Sequence, residues 1–304
     1  VRYLRRERPA ALLAAKDRAN RIALRARRLA GVDIPVAVRL GNNLSRSLEG
    51  RSFLRKWARK APMRRAYHRA DAVIAVSHGV AQDTAEITGL PREAIHVLPN
   101  PVVTPDLEQR AAPGPAHPWL ADDSRPEVPV LLAVGRLSRQ KDFPTLLKAF
   151  ARLRAQRRAR LVVLGEGPDR QSLENQAREL GIAEDVDFAG FAANPYPYLR
   201  RADLFVLSSA WEGSPNALTE ALALGTPVVA TNCPSGPEEI LEGGRYGPLV
   251  PVGDWEALAA AMQATLDAPP SPAFLRTGGE RYRDSTSARR YLEAMGLTPP
   301  PDHS

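Results

Sequence analysis

Short apolar runs rich in Val, Ile and Leu alternate with longer amphipathic segments as far as about residue 265. Such runs, separated by stretches of helical period, predict a parallel sheet covered by helices, so the expected fold class is α/β. Strands are predicted near Ala11–Ala15, Val36–Arg39, Ala72–Val76 and His96–Leu98. A second, more regular series falls near Val130–Val134, Leu161–Leu164, Val186–Ala189, Leu204–Leu207, Val228–Thr231 and Leu249–Val250. The second series is long enough for a complete doubly wound sheet. The first is shorter, and it opens on a basic helix-like segment where a strand and glycine turn usually stand. With no initiating Met, the expectation is that the natural N-terminus is absent, an alternative start at Val1 being the other reading.

Between the two series lies a Pro-rich stretch, Pro99 to Pro129, with Pro101, Pro105, Pro113, Pro115, Pro118 and Pro126. That composition suits an interdomain linker better than a helix or strand. The expected division is an incomplete Rossmann-like domain over 1–105, a linker over 106–128, a second Rossmann-like domain over 129–270, and a C-terminal helix and tail over 271–304. The final Pro-Pro-Pro-Asp-His-Ser is expected to be disordered.

Composition narrows the function classes. With 44% apolar and 25% charged residues over 304 positions, the chain is ordinary for a globular protein of two domains. No stretch approaches the roughly eighteen apolar residues of a membrane-spanning helix, and the first residues lack the apolar core of a signal peptide, so a cytoplasmic location is expected. The single cysteine, Cys233, excludes an internal disulfide.

The net charge of +8 is concentrated near the front, in the arginines and lysines of residues 1–28 and 51–69. Two readings stay open. Arginine has simply been placed on solvated helix faces, or the front presents a cationic surface to anionic phospholipid headgroups. On the second reading Phe53, Leu54, Trp57 and Ala61 share one helical face beside the charges, as in an interfacial helix, and the protein sits peripherally at the inner face of the membrane.

Candidate chemistry begins at Val134-Gly135-Arg136, with Lys141 five residues beyond the arginine. A strand end followed by these residues puts two cations at the carboxyl edge of a sheet, where open α/β folds take their ligands. Arginine chelates phosphate oxygens in a fork and lysine adds a point charge, which suits a leaving nucleoside diphosphate. A purely structural role explains either residue singly about as well. The second segment runs Ser208 to Ala230 as strand, loop, helix and strand. Ser214 is read as the N-cap and Pro215 as the first helical residue, so that the positive helix end meets an anion. Glu212 in the loop and Glu220 in the largely apolar helix are carboxylates suited to vicinal hydroxyls, of which a nucleotide sugar has two sets.

These residues resemble glycosyltransferase family 4, whose hallmark of two glutamates separated by seven residues is met by Glu212 and Glu220. The likeness extends over about residues 70 to 265, through Ala70 to Ser77, Val97-Leu98-Pro99-Asn100-Pro101, Gly135-Arg136 with Lys141, and Ala223 to Ala230. It implies the GT-B fold of two Rossmann-like domains, the first taking the acceptor, and transfer of a hexosyl or N-acetylhexosaminyl group from a UDP-sugar with retention. It also implies that Glu212 contacts the donor hexose, Glu220 the ribose, and Arg136 and Lys141 the diphosphate. Gly213, Ser214, Pro215, Asn216 and Ala217 would meet sugar and phosphates through backbone groups, and Gly190, Phe191 and Ala192 would border the base. Cys233 to Ile240 is similar to members that build lipid-linked or surface polysaccharides, whose acceptors are glycans or lipid-linked glycans.

Two features depart from the family. The glycine-rich loop after the first acceptor-side strand is missing, and Ala15 to Asn20 stands where a histidine-containing stretch is usual. No catalytic histidine is carried over to His68, His78, His96, His117 or His303, which read as surface or satisfied loop residues. Gly41 to Arg46 after a strand end reads equally as a ligand contact or an ordinary turn. No cofactor is expected, nor a metal, on the reading that the chain has no Asp-x-Asp triplet anywhere to hold one against a diphosphate. Two rival readings remain. The chain is an inactive UDP-sugar-binding fragment, or a cationic nucleic-acid-binding protein, which the lack of interleaved aromatics and of any RNA or DNA module opposes.

Overall fold

The computed structural model describes residues 1–45, 53–114, 117–121 and 128–298, with the side chains of 53–59 outside that description. The chain forms two compact units, one of Val1–Pro101 with the C-terminal residues from Asp284, the other of Val102–Arg283.

The first unit runs α1 (Arg2–Glu7), β1 (Leu12–Ala15), α2 (Asp17–Ala30), β2 (Val36–Leu40), α3 (Phe53–Tyr67), β3 (Ala72–Ala75), α4 (His78–Thr88) and β4 (Ile95–Val97). Its four strands are parallel in the order β1-β2-β3-β4, with Val38 opposite both Ala14 and Val73. Successive residues of a strand face opposite sides of a sheet. Accordingly Val36, Val38 and Leu40 of β2 enter one core, with Leu24 of α2 and Met63 and Tyr67 of α3. Ala37 and, on β3, Ala72 and Ile74 enter another on the opposite face. At the carboxyl end of β1, Asn20 is fully buried and donates through Nδ2 to the Arg39 carbonyl at 3.1 Å and to the Tyr67 hydroxyl at 3.3 Å. The Tyr67 hydroxyl donates in turn to Asp17 Oδ1 at 3.2 Å, and burial raises its pKa. Within Ala15 to Asn20, Asp17 and Asn20 are therefore committed to internal contacts, while Ala15, Lys16, Arg18 and Ala19 are exposed. Of the interfacial face expected on α3, Phe53, Leu54 and Trp57 have side chains outside the described residues, as does Arg51 entirely.

The second unit runs α5 (Leu107–Ala111), β5 (Val130–Val134), α6 (Phe143–Gln156), β6 (Arg160–Leu164), α7 (Arg170–Glu179), β7 (Val186–Gly190), α8 (Tyr196–Arg201), β8 (Leu204–Leu207), α9 (Asn216–Leu224), β9 (Val228–Thr231), α10 (Pro237–Ile240), β10 (Leu249–Val250), α11 (Trp255–Asp267) and α12 (Pro272–Gly279). All six strands are parallel, in the order β10-β9-β8-β5-β6-β7. Val130 and Leu132 of β5 pack toward α9 and Leu131 and Ala133 toward α6, which is why these strands read as unbroken apolar runs.

Two expectations about the ends of this unit are corrected. Residues 106–128 are not a linker where described: α5 is there, and Leu107, Ala111 and Leu120 are buried in the unit's core. The prolines surround these apolar residues rather than free the chain. The Val102 and Val103 amides both donate to the Tyr282 carbonyl, at 3.1 and 2.9 Å, so the chain enters and leaves the unit side by side. The second correction concerns residues 271–304, expected as a helix and tail apart from either domain: α12 belongs to the second unit, and the residues from Asp284 belong to the first. Residues Asp284–Ala294 form α13, and Tyr291, Ala294 and Met295 cover the Ala37, Ala72, Ile74 face of the first unit's sheet. Arg39 Nε donates to the Tyr291 hydroxyl at 2.9 Å, and the Ser287 hydroxyl to the Pro99 carbonyl at 3.3 Å. Without α13 that apolar face would be exposed. Residues 299–304 lie outside the described residues.

Candidate functional site

The strand order of the second unit reverses between β5 and β8. From β5 the chain winds through β6 to β7 on one side, then returns to place β8, β9 and β10 on the other. Helices on the two sides diverge at such a switch point and leave a crevice outside the carboxyl ends of the two central strands. The loop after β5 carries Gly135, Arg136 and Lys141, and the loop after β8 carries Ser208, Ser209 and Glu212.

These two loops are stitched together. Lys141 Nζ lies 2.6 Å from Glu212 Oε1, their side chains 18% and 7% exposed. The Ser209 hydroxyl donates to the same oxygen at 2.6 Å, and Gln140 Nε2 lies 3.4 Å from Oε2 and donates to the Trp211 carbonyl at 3.1 Å. The Ser208 hydroxyl donates to the Lys141 carbonyl at 2.8 Å, and the Ala210 amide to that of Gln140 at 2.8 Å. A carboxylate this buried requires such donors. Lys141 reaches Glu212 by lying across Gly135, where a Cβ would stand 2.8 Å from Lys141 Cε. Arg136, next along, is exposed.

Glycine also lets the next loop approach. A Cβ on Gly165, at φ +142°, would stand 1.9 Å from the Gly135 carbonyl oxygen, and the Gly165 amide donates to the Gly190 carbonyl at 2.7 Å. The ends of β5, β6 and β7 thus form one continuous backbone floor. Phe191 beyond it is 78% exposed, and Ala192 packs against the core.

On the other side, Gly213, Ser214 and Pro215 lead into α9. The helix begins at Asn216, and its N-cap is Pro215, with no side-chain cap hydrogen bond. This corrects the expectation that Ser214 caps and Pro215 starts the helix: Pro215 has ψ 103°, an extended value, so helical geometry sets in one residue later. The positive end of α9, with Asn216 and Ala217 in its first turn, still stands at the carboxyl edge.

Glu220 is not beside Glu212. It is half-buried among different partners: the Tyr196 hydroxyl bonds to it and the Arg110 guanidinium attracts it, while burial dominates and pushes its pKa up to about 7. Arg110 also lies over the Tyr196 ring, 4.4 Å from the centroid. Sequence reasoning missed both partners. Arg110 sat in the supposed linker, and nothing in the sequence ties Tyr196 to a residue 24 positions on. Ser209 and Gln140 were equally invisible. Gly165-Glu166-Gly167-Pro168 had a signal, two glycines directly after a buried strand.

Cys233 is buried, and burial together with the nearby Glu212 carboxylate pushes its thiol up to about 12, the opposite of an activated nucleophile. An Asp-x-Asp triplet does occur, Asp185-Val186-Asp187, at the amino end of β7 and so at the wrong edge of the sheet. Asp185 pairs with Arg154 at 2.7 Å and Asp187 with His117 at 2.9 Å. His117 itself is buried. In the first unit, Gly41 to Ser45 follow β2, with the Ser45 amide donating to Asp83 Oδ2 at 3.1 Å, while Arg46 and His303 lie outside the described residues. Among the described residues no helix is long and apolar enough to cross a membrane.

Comparison with known proteins gives this geometry a family. The model of glycosyl transferases group 1 matches residues 122–281, and that of the glycosyl transferase 4-like domain matches residues 1–101. The lipopolysaccharide core biosynthesis glycosyltransferase LpsE of Rhizobium meliloti is 34% identical over 66% of this chain and 56% of its own length. The N-acetylgalactosamine-N,N'-diacetylbacillosaminyl-diphospho-undecaprenol 4-alpha-N-acetylgalactosaminyltransferase of Campylobacter jejuni is 29% identical over 66% of this chain and 52% of its own length. The chain therefore spans about half the length of these curated relatives. The crystal structure of Anabaena HepE in complex with UDP-glucose shares the fold, with a TM-score of 0.75 at 22% identity over 93% of this chain and 78% of that one. With the group 1 model covering more than half of its length and the 4-like domain most of the rest, the chain belongs to the family 4 glycosyltransferases of GT-B fold.

Proposed function

We propose that the second unit binds a UDP-sugar and that the chain transfers its hexosyl or N-acetylhexosaminyl group, with retention, to a hydroxyl of a lipid-linked or polysaccharide acceptor. The observation that carries this reading is the convergence at the β5/β8 switch point of the Lys141–Glu212 pair, at 2.6 Å, with the exposed Arg136. Departure of a nucleoside diphosphate places negative charge on phosphate oxygens. Preorganised cations and the positive end of α9 stabilise it as it develops. Arg136 supplies the fork and Lys141 the point charge, so the side chains perform the role a metal has in other transferases, and no cofactor is proposed.

Glu212 has Oε1 held by Lys141 and Ser209, which leaves Oε2, with only the long Gln140 contact, to accept from a sugar hydroxyl. Glu220, within α9 and beside Tyr196 and Arg110, takes the ribose hydroxyls. The backbone floor from Gly135 to Gly190, with Phe191 and Ala192 at its end, receives the base. The names of the relatives, a lipopolysaccharide core transferase and a transferase acting on a diphospho-undecaprenol-linked sugar, support the acceptor class. The basic first unit fits peripheral attachment to the anionic inner face of the cell membrane.

The test is release of UDP from UDP-glucose, UDP-galactose and UDP-N-acetylglucosamine in the presence of lipid-linked glycan acceptors, with the anomeric configuration of the product read by NMR. Arg136→Ala should lower turnover by about a hundredfold or more, the scale of losing one preorganised transition-state donor. Its thermal midpoint should match that of the parent, because Arg136 is exposed. Unchanged turnover would remove Arg136 from the mechanism. UDP binding without transfer to any acceptor would leave a donor-binding protein and overturn the enzymatic half of the proposal.

A further inference from the structure

A second basic site lies in the first unit. Helix α2 and the C-terminal half of α3 flank an open cavity of about 400 Å³ lined by Arg21, Arg25, Arg27, Arg28, Arg65 and Arg69 over an apolar floor of Leu24, Val32, Pro62 and Ala66. No carboxylate lines it. Its neighbours Gly31, which caps α2, and Arg69, which follows α3, place it at the amino ends of β2 and β3. That is the edge opposite the strand ends where open α/β sheets take their substrates, so it is a separate place from a sheet-edge active site.

Among the described residues, this charge is not balanced by carboxylates. Arg21 pairs with Asp17 at 3.0 Å, and Arg27 is held by Asp71 and the Arg69 carbonyl. Arg25, Arg28, Arg65 and Arg69 have no carboxylate partner among the described residues. Arg21 carries a buried Nε–H without an acceptor. Arg21 and Arg25, and Arg25 and Arg28, stand four and three residues apart on α2, spacings at which like charges on a helix repel. Arg25, Arg28 and Arg65 are exposed, so packing does not require them. Nothing among the described residues offsets this crowding of like charge, and a local arrangement that opposes folding is expected where it serves a function.

We infer that this cavity binds a phosphate-bearing anion. Several guanidinium forks exceed what a single carboxylate can neutralise and match a phosphate or diphosphate group, while the apolar floor accepts the uncharged part of the same molecule. A soluble phosphorylated compound and an anionic lipid headgroup both have this chemistry. The inference does not depend on the donor site.

The test titrates the whole chain with inorganic pyrophosphate by calorimetry, and separately measures co-sedimentation with vesicles of phosphatidylcholine alone or with phosphatidylglycerol added. The variant is Arg25→Gln/Arg28→Gln/Arg65→Gln. It should fold with a thermal midpoint equal to or above that of the parent, because repulsion is relieved. It should lose a pyrophosphate-binding event that Arg136→Ala retains. Arg28→Gln alone should weaken that event by about tenfold or more, the scale of one hydrogen-bonded charge. Phosphatidylglycerol-dependent sedimentation lost with pyrophosphate binding identifies the headgroup as the source, and loss of pyrophosphate binding alone identifies a soluble ligand. Unchanged binding in the folded triple variant, or no binding of either probe by the parent chain, overturns the inference.

Discussion

Lys141→Met is expected to destabilise the protein and to abolish donor turnover, and the two effects should separate in a second variant. Glu212 is only 7% exposed and relies on Lys141, at 2.6 Å, for its counter-charge. Removing one partner of a buried pair leaves an uncompensated charge and costs about 3 kcal/mol or more. For a unit of this size that is a fall in thermal midpoint of roughly 10 °C. Changing both residues, Lys141→Met with Glu212→Gln, removes the orphan charge and should restore most of the midpoint, since neutral side chains of similar volume often replace a buried pair without loss. Turnover should not return, because the cation proposed to face the leaving diphosphate is still missing. If the double variant recovers activity along with stability, Lys141 has only a structural role. If Lys141→Met leaves the midpoint untouched, Glu212 is not the buried, paired carboxylate described above.

Gly165→Ala should have the other large effect, through backbone alone. The added Cβ would stand 1.9 Å from the Gly135 carbonyl oxygen at φ +142°, a conformation that non-glycine residues scarcely adopt. Neither the strain nor the clash can be relieved by rotating a side chain, so the loops after β5 and β6 must separate. A cost of about 3 kcal/mol or more is expected, with donor binding weakened at least about a hundredfold because Arg136 and Lys141 move with the β5 loop. Gly181→Ala is the control. It too has a positive φ, +67°, but nothing lies within 4 Å of its Cβ position, so it should cost about 1 kcal/mol and leave donor binding intact. Equal behaviour of the two variants, in a thermal melt and a UDP titration, would contradict the close approach as the reason for Gly165.

Legibility in the sequence followed burial. The strands of both sheets were readable because central parallel strands are apolar on both faces: all five residues of β2 are apolar or, at Arg39, turned to a specific partner. The site segments were readable because glycine and charge stand directly after such strands. What failed was pairing at a distance. Nothing in a helical period says what the helix will cover, so α13 was left in a C-terminal segment assigned to neither domain, although Tyr291 and Met295 complete the first unit's core. Prolines hid α5 and with it Arg110. Lys141 and Glu212 were assigned separate tasks because their 71-residue separation conceals a 2.6 Å contact. The helix start moved by one residue, the usual uncertainty of a cap read from residue type alone.

Glu220 offers the most direct measurement of the central claim, that the second unit is a UDP-sugar site. Burial raises its pKa from 4.5 to about 7, so its contribution to folding is fully present below the usual carboxylate range and is lost as pH rises through about 7. Ribose hydroxyls donate to the carboxylate and so favour the ionised form, giving ligand affinity the opposite slope. UDP-glucose is the probe, because its diphosphate carries no group titrating in this range. Titrated calorimetrically from pH 5.5 to 8, the parent chain should bind it with affinity rising several-fold and levelling above about pH 7. Glu220→Gln should bind more weakly with a flat profile. A folded parent chain that fails to bind UDP-glucose at any pH, or a Glu220→Gln variant with the parent's affinity and slope, would contradict the assignment.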